Sequence, residues 1–248
     1  MPIVFRNIHK TFGDKVVLAG VDLTINDGEC FFIIGASGVG KSVLIKHLVG
    51  LLKADSGDIF LDDKEVSHLT EEEFYAVRMQ CAMVFQNATL FDSMTCIENV
   101  ALPLRKHKGM SHEASLVEAK RRLEQVHMEA HGLALPAALG DGMRKRVAIA
   151  RALTMDPRFV LFDEPTTSLD PVSARRVDQM IRELCDELHV TSVVVSHDLT
   201  SIFTIADRIA MLYKGAVHML GTPDEFRRTE DAVVQQFIQG QAEGPMEV

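Results

Sequence analysis

Residues 35–42 read Gly35-Ala36-Ser37-Gly38-Val39-Gly40-Lys41-Ser42, directly after the apolar run Cys30-Phe31-Phe32-Ile33-Ile34. The stretch fits G-x-x-x-x-G-K-[ST], a phosphate-binding loop. Glycines let the chain curl so that successive backbone N–H groups face inward around an anion. A helix starting near Lys41 adds the positive end of its dipole. Lys41 is placed to reach the outer phosphates and Ser42 to ligate Mg²⁺. The competing reading is a glycine-rich turn before an ordinary helix, and the buried-type strand in front weakens it. The stretch therefore predicts a nucleoside triphosphate site.

Outward from this loop the pattern is α/β. Ile3-Val4-Phe5, Val16 to Ile25 and Phe31 to Ile34 read as strands, and Lys41 to Leu52 as a helix. Ile59-Phe60-Leu61 and Ala82 to Phe85 are further strands. From Asn87 to about Leu153 the pattern is helical and polar, with a helix over Ser111–Met128 capped by Ser111. Phe159-Val160-Leu161-Phe162 and Val193-Val194-Val195 are apolar throughout, as strands buried on both faces are. Val172 to Leu188 is a helix between them. Ile209–Leu212 and Ala216–Leu220 flank Lys214-Gly215 as a hairpin, before a helical, polar tail. We expect one domain over 1–240, with a helical subdomain inserted at about 87–153, and a tail over 241–248.

Composition narrows the function. A net charge of −9, two Tyr and no Trp argue against nucleic acid as a partner. No stretch approaches the roughly 20 apolar residues that cross a bilayer, and the start of the chain lacks a signal-peptide pattern. Cys30, Cys81, Cys96 and Cys185 form no C-x-x-C pair and read as small buried hydrophobes. His127 and His131 share a helix face, and Arg105-Lys106-His107-Lys108 is a short basic run; both read as solvated surface.

The strand Phe159–Phe162 runs into Asp163-Glu164. Two acids ending a buried strand are costly without a task. Asp163 is placed to hold the water shell of Mg²⁺, and Glu164 to orient the water that attacks the γ-phosphate.

Three further elements bring out a resemblance. Gln86 follows Ala82–Phe85, Leu139-Gly140-Asp141-Gly142-Met143 precedes Arg144 to Leu153, and His197 ends Val193–Ser196. Singly these are a polar strand end, a loop and an ordinary histidine. In this order and spacing the chain resembles the ATP-binding cassette (ABC) ATPases over nearly its whole length. The resemblance implies a P-loop NTPase (RecA-like) core with an antiparallel β subdomain and a helical subdomain. It implies that Phe12, otherwise a core aromatic, stacks on adenine with Val17 nearby. It implies that Gly35 to Ser42 cradle ATP, that Ser42, Gln86 and Asp163 serve Mg²⁺, and that Lys41, Gln86, Glu164 and His197 are catalytic. It also implies a homodimer with two ATP molecules sandwiched head to tail. Gly142 then faces the partner's nucleotide, and Ser168-Leu169-Asp170 lies at the seam.

The stretch Gln86-Asn87-Ala88-Thr89-Leu90-Phe91-Asp92-Ser93-Met94-Thr95, the Gly142-Met143 pair and the tail from Val234 are similar to the Mla/Mce-type lipid transport ATPases. That implies an MlaF-like subunit on the cytoplasmic face of the inner membrane. Its implied partners are an MlaE-like permease, an MlaD-like lipid-binding protein and an MlaB-like regulator.

One loop departs from the family. Where Leu-Ser-Gly-Gly is usual, the chain has Leu139-Gly140-Asp141-Gly142. Gly140 removes a hydroxyl, and Asp141 sets a carboxylate toward an anion. Two unit charges about 4 Å apart at an effective dielectric of about 20 repel by roughly 4 kcal/mol. Borne wholly by the transition state, that is about a thousandfold in rate. We therefore expect normal ATP binding with weakened dimer closure and hydrolysis, unless Asp141 swings into solvent or the loop shifts register. The alternative function is a nucleotide-gated regulatory subunit. A soluble ABC ATPase of DNA repair or translation fits less well, because the chain lacks room for a coiled-coil insertion or second cassette.

Overall fold

The structure is a computed structural model that describes residues 2–246; Met1, Glu247 and Val248, the last two in the expected tail, lie outside the described residues. The apolar run before the phosphate loop forms β3 (Cys30–Ile34), every residue of which is buried. Its side chains alternate between two cores. Cys30, Phe32 and Ile34 face one; Phe31 and Ile33 face the other. The strands β7 (Phe159–Asp163) and β8 (Thr191–Val195) are likewise buried throughout and feed both cores in alternation. Period-2 alternation between two apolar layers explains why their sequences read as continuous apolar runs.

These strands belong to a six-stranded sheet ordered β10-β9-β3-β8-β7-β6, with β6 at Cys81–Val84, β9 at Arg208–Tyr213 and β10 at Ala216–Gly221. All its pairings are parallel except the β9–β10 hairpin. A second, antiparallel sheet has the order β2-β1-β4-β5, from β1 (Ile3–Phe12), β2 (Lys15–Ile25), β4 (Ser56–Leu61) and β5 (Lys64–Glu65). Between the two sheets runs α1 (Lys41–Leu48), whose Leu44, Ile45 and Leu48 fill the second core.

Chain order continues with α2 (Glu71–Gln80), α3 (Cys96–His107), α4 (His112–Gln125) and α5 (Asp141–Leu153). Then come α6 (Pro171–Leu188), α7 (Leu199–Ile205), α8 (Pro223–Arg228) and α9 (Ala232–Gln239). Ser111 caps α4 as expected, accepting from Ala114 N–H at 3.2 Å.

Several boundaries differ from the sequence expectation. The first helix stops at Leu48, not Leu52, because Gly50 turns left-handed (φ +68°), and Leu51 is left half-exposed. The helix expected to reach Met128 ends at Gln125. His127 then adopts φ +54°, so His127 and His131 do not share a helix face. The basic run is engaged: Lys108 Nζ pairs with Asp156 at 2.8 Å, and His107 Nδ1 lies 2.8 Å from the Tyr75 hydroxyl. The tail is not merely polar, since Phe226, Val234 and Met246 are buried in the first core. The four cysteines are buried and free.

Candidate nucleotide-binding site

In an open α/β sheet, ligands sit beyond the carboxyl ends of the parallel strands. Four neighbouring strands end here in motif residues. β3 runs into the phosphate loop, β8 into Ser196-His197, β7 into Asp163-Glu164, and β6 into Phe85-Gln86. A cavity of about 590 Å³ opens at that edge. Its wall includes Phe12, Val17, Lys41, Ser42, Gln86, Glu164 and His197, with Gly35 to Gly38 and Gly40.

The loop's glycines are sterically required at two points. A Cβ on Gly35 (φ +138°) would stand 2.3 Å from the Leu212 carbonyl oxygen. One on Gly40 (φ +109°), which precedes α1, would meet Leu18 at 2.8 Å. Val39 is the member that does not line the cavity; its side chain packs against the second core, so only its backbone is free to serve. Lys41 is buried, its ammonium donating to the Gly35 and Ala36 carbonyls at 2.8 and 3.1 Å. Burial pushes its pKa down, against the pull of Glu164 and Asp163.

Ser42 Oγ hydrogen-bonds Asp163 Oδ1. Lys46 Nζ lies 3.7 Å from the other carboxylate oxygen. This hydroxyl–carboxylate pair, with the Gln86 amide across the cavity, is a set of hard oxygen donors that fits Mg²⁺. Glu164 Oε2 accepts from Thr167 Oγ1 at 3.0 Å and lies 2.8 Å from His197 Nδ1. The Glu164 backbone is left-handed (φ +52°) and is tied by its N–H to Val195 O at 2.9 Å. A carboxylate with one oxygen held by two neighbours, on a left-handed backbone, is the arrangement expected of a positioned base.

A second pocket of about 340 Å³ shares Gln86 and Thr167 with the first and adds Asp141, Arg144, Lys145 and Ser168. Gly140 is the N-cap of α5 without a side-chain cap, and a Cβ there would meet nothing within 4 Å. A Cβ on Gly142 would strike Ser173 of α6 at 2.9 Å. Gly142 lies outside the wall of the nucleotide cavity, packed between helices. Asp141 is not a bare carboxylate. It is ion-paired with Arg144, whose guanidinium also donates to Leu139 O at 2.8 Å. The repulsion expected for an isolated charge is therefore offset within the same helical turn.

Sequence reasoning missed Thr167, Lys145 and Phe237. Lys145 is buried behind the acidic strand end, with Nζ 3.2 Å from the Glu164 carbonyl oxygen. Burial pushes its pKa down to about 8 despite Asp141, Asp163 and Glu164 nearby. In the sequence it is the middle of Arg144-Lys145-Arg146, which reads as a solvent face. Only the helical register, which turns Lys145 inward beside Ala148 and Ile149, separates it from its neighbours. Phe237 lies forty residues beyond His197, in the tail that resembles the Mla/Mce-type ATPases but carries no mark of a nucleotide role.

A profile of the ABC transporter family matches residues 18–167, more than half of the chain and the span from β2 through the acidic strand end. The chain belongs to the ABC transporter ATPases. It is 33% identical to the intermembrane phospholipid transport system ATP-binding protein MlaF of Haemophilus influenzae, over 98% of this chain and 92% of that protein. Identity to MlaF of Escherichia coli K12 is 32%, over 97% and 90%. It is also 33% identical to a probable ribonucleotide transport ATP-binding protein, mkl, of Mycobacterium tuberculosis, over 98% of this chain and 68% of that one. Among solved structures, the dimeric post-hydrolysis state of the cassette MJ0796 with ADP and Pi superposes with a TM-score of 0.81 at 31% identity, covering 89% of this chain and 98% of that one. CbiO1 of Clostridium perfringens gives 0.84 at 26%, covering 97% and 95%. The protein is thus an MlaF-like ATP-binding subunit that hydrolyses ATP.

Proposed function

We propose that this ATPase powers a lipid-transporting permease of the bacterial envelope, working as a homodimer on the cytoplasmic face of the inner membrane. The observation that carries the catalytic part is the convergence of Lys41, Glu164, His197 and Gln86 on one cavity from four adjacent strand ends. In this reading Phe12 and Val17 take the base, and the loop from Gly35 to Ser42 takes the phosphates. Lys41 leaves its own loop carbonyls for the outer phosphates. Ser42, Asp163 and Gln86 would hold Mg²⁺, which would supply charge neutralisation at the phosphates. Glu164 takes the proton of the attacking water. His197, in contact with Glu164, holds that carboxylate in place and meets the γ-phosphate. Gly142 faces the nucleotide of the second copy.

The pairing of Asp141 with Arg144 favours full turnover over a regulatory subunit with weak hydrolysis. The permease reading is supported by a separate groove of about 380 Å³, between the six-stranded sheet and the inserted helices. Met79, Ala82, Met83, Pro103, Ala152 and Met155 line it beside Tyr75, Arg78, His107 and Arg151, a Met-rich surface with basic groups suited to a short helix of a membrane subunit. Lipid as cargo is supported by the likeness to MlaF over nine-tenths of that protein. MlaD-like and MlaB-like partners follow from the same likeness.

Purification of the chain with its membrane partner and reconstitution into phospholipid vesicles tests this reading. Glu164→Gln is expected to lower phosphate release by at least a hundredfold, the usual worth of a general base, while lipid moves only with the unaltered chain and ATP. Turnover unchanged in Glu164→Gln contradicts the catalytic assignment. ATP-driven movement of ribonucleotides in place of phospholipid contradicts the cargo.

A further inference from the structure

One wall residue of the nucleotide cavity comes from the C-terminal tail. Phe237, on α9, lines it with His197 and the phosphate loop. An isolated helix of eight residues is marginal in water and needs tertiary anchors. One anchor is Val234, fully buried in the first core. The other is unusual. Gln236, beside Phe237, is 3% exposed, and a buried amide is costly unless bonded. Its Oε1 accepts from Met246 N–H at 2.7 Å, and its Nε2 donates to Met246 O at 3.2 Å. The side chain thus pairs with the backbone of the C-terminal segment as a strand would. The segment is fastened twice more: Met246 is buried in the first core, and the Tyr213 hydroxyl donates to Pro245 O at 2.9 Å. Tyr213 ends β9, the strand whose Leu212 carbonyl lies against Gly35. One strand end therefore touches both the phosphate loop and the C-terminal segment.

We propose that Phe237 is a nucleotide-positioning residue, held at the cavity wall by the segment Gln241–Met246 through the Gln236 amide. The inference rests on the reading that ATP occupies this cavity. A ring at the wall keeps water from the bound phosphates, where every electrostatic contact then acts in a lower dielectric. Without the latch, α9 keeps Val234 and the partly buried Val233, Phe237 and Ile238 against the first core, but the ring loses the constraint that fixes its position at the wall.

The test uses the full chain, the non-hydrolysed analogue AMP-PNP with magnesium, and calorimetry. Phe237→Ala is expected to weaken binding about tenfold, and Phe237→Tyr, which keeps the ring, less than threefold. Gln236→Leu and removal of residues 241–248 are each expected to weaken it at least threefold, with thermal unfolding still cooperative. The chain has no tryptophan. Phe237→Trp therefore reports the cavity alone, and its emission is expected to shift on saturation with AMP-PNP. Phe203→Trp, on α7 and outside the cavity wall, is expected to stay silent. Phe237→Ala binding within twofold of the unaltered chain, or a silent Phe237→Trp, overturns the role of the ring. Unchanged affinity in both latch variants overturns the latch. Failure of the unaltered chain to bind AMP-PNP overturns the ATP-site reading itself, and this inference with it.

Discussion

Arg144 decides how the unusual signature loop behaves. Its guanidinium spans Asp141 and the Leu139 carbonyl, so the carboxylate and its counter-charge move together. Removing Arg144 exposes a carboxylate beside the pocket that adjoins Gln86 and Thr167. Arg144→Ala is expected to slow ATP hydrolysis more than tenfold in the unaltered background, but less than threefold in Asp141→Gly. A double-mutant cycle of steady-state rates measures this, and additive effects contradict the coupling. Lys145 gives a separate signature in stability. Its pKa falls from an ordinary 10.5 to about 8 on burial. Between those values the unfolded chain holds the proton that the folded chain has released, so this residue's contribution to stability rises with pH. Below about pH 8 both states are charged and the burial penalty is constant. Denaturant unfolding of the native chain relative to Lys145→Met should gain stability between pH 8 and 10. A flat difference over that range removes Lys145 as the source.

Among the elements, α6 and α7 carry an ion network next to the strand end that bears His197. Arg175 pairs with Asp178 at 2.8 Å and with Asp198 at 2.5 Å, and Ser201 Oγ donates to Asp178 at 3.0 Å. Asp178 is 2% exposed, and burial pushes its carboxyl up to about 6. Removing the cation strands that carboxylate. Arg175→Met is expected to cost about 2 kcal/mol at pH 8, below the full cost of breaking a buried pair because Arg175 is partly exposed. The loss should shrink at pH 5, where Asp178 takes a proton. Equal losses at both pH values contradict a charge origin. Elements whose both faces meet apolar layers were the most legible in sequence: β3, the Phe159–Phe162 run of β7 and the Val193–Val195 run of β8 are continuously apolar because the two cores flank them. Helix α2 escaped notice. It opens with Glu71-Glu72-Glu73 and buries only Phe74 and Val77, too narrow a stripe to show a period. Phe74 also explains the early end of α1, since its ring fills the space beside Gly50 at 2.6 Å from where a Cβ would stand. The site was legible wherever a motif demands a fixed spacing, from Gly35 to Ser42 and at Asp163-Glu164. It was illegible where the fold brings in a residue by packing alone, as with Lys145 and Phe237. The Asp141–Arg144 pair lay in plain view at a helical spacing of three, but only the helix start at Asp141 makes the two side chains neighbours.

The whole molecule is a scaffold that brings four strand ends to one edge and covers them with a glycine loop. No helix among the described residues is long and apolar enough to cross a membrane. All of this depends on a triphosphate binding against Lys41. Titration calorimetry of the full chain with ATP and magnesium, beside Lys41→Ala, tests that claim most directly. The account predicts saturable, magnesium-dependent binding of one ATP per chain, lost in a Lys41→Ala variant that still unfolds cooperatively. Absent binding, or equal binding by both proteins, would contradict it.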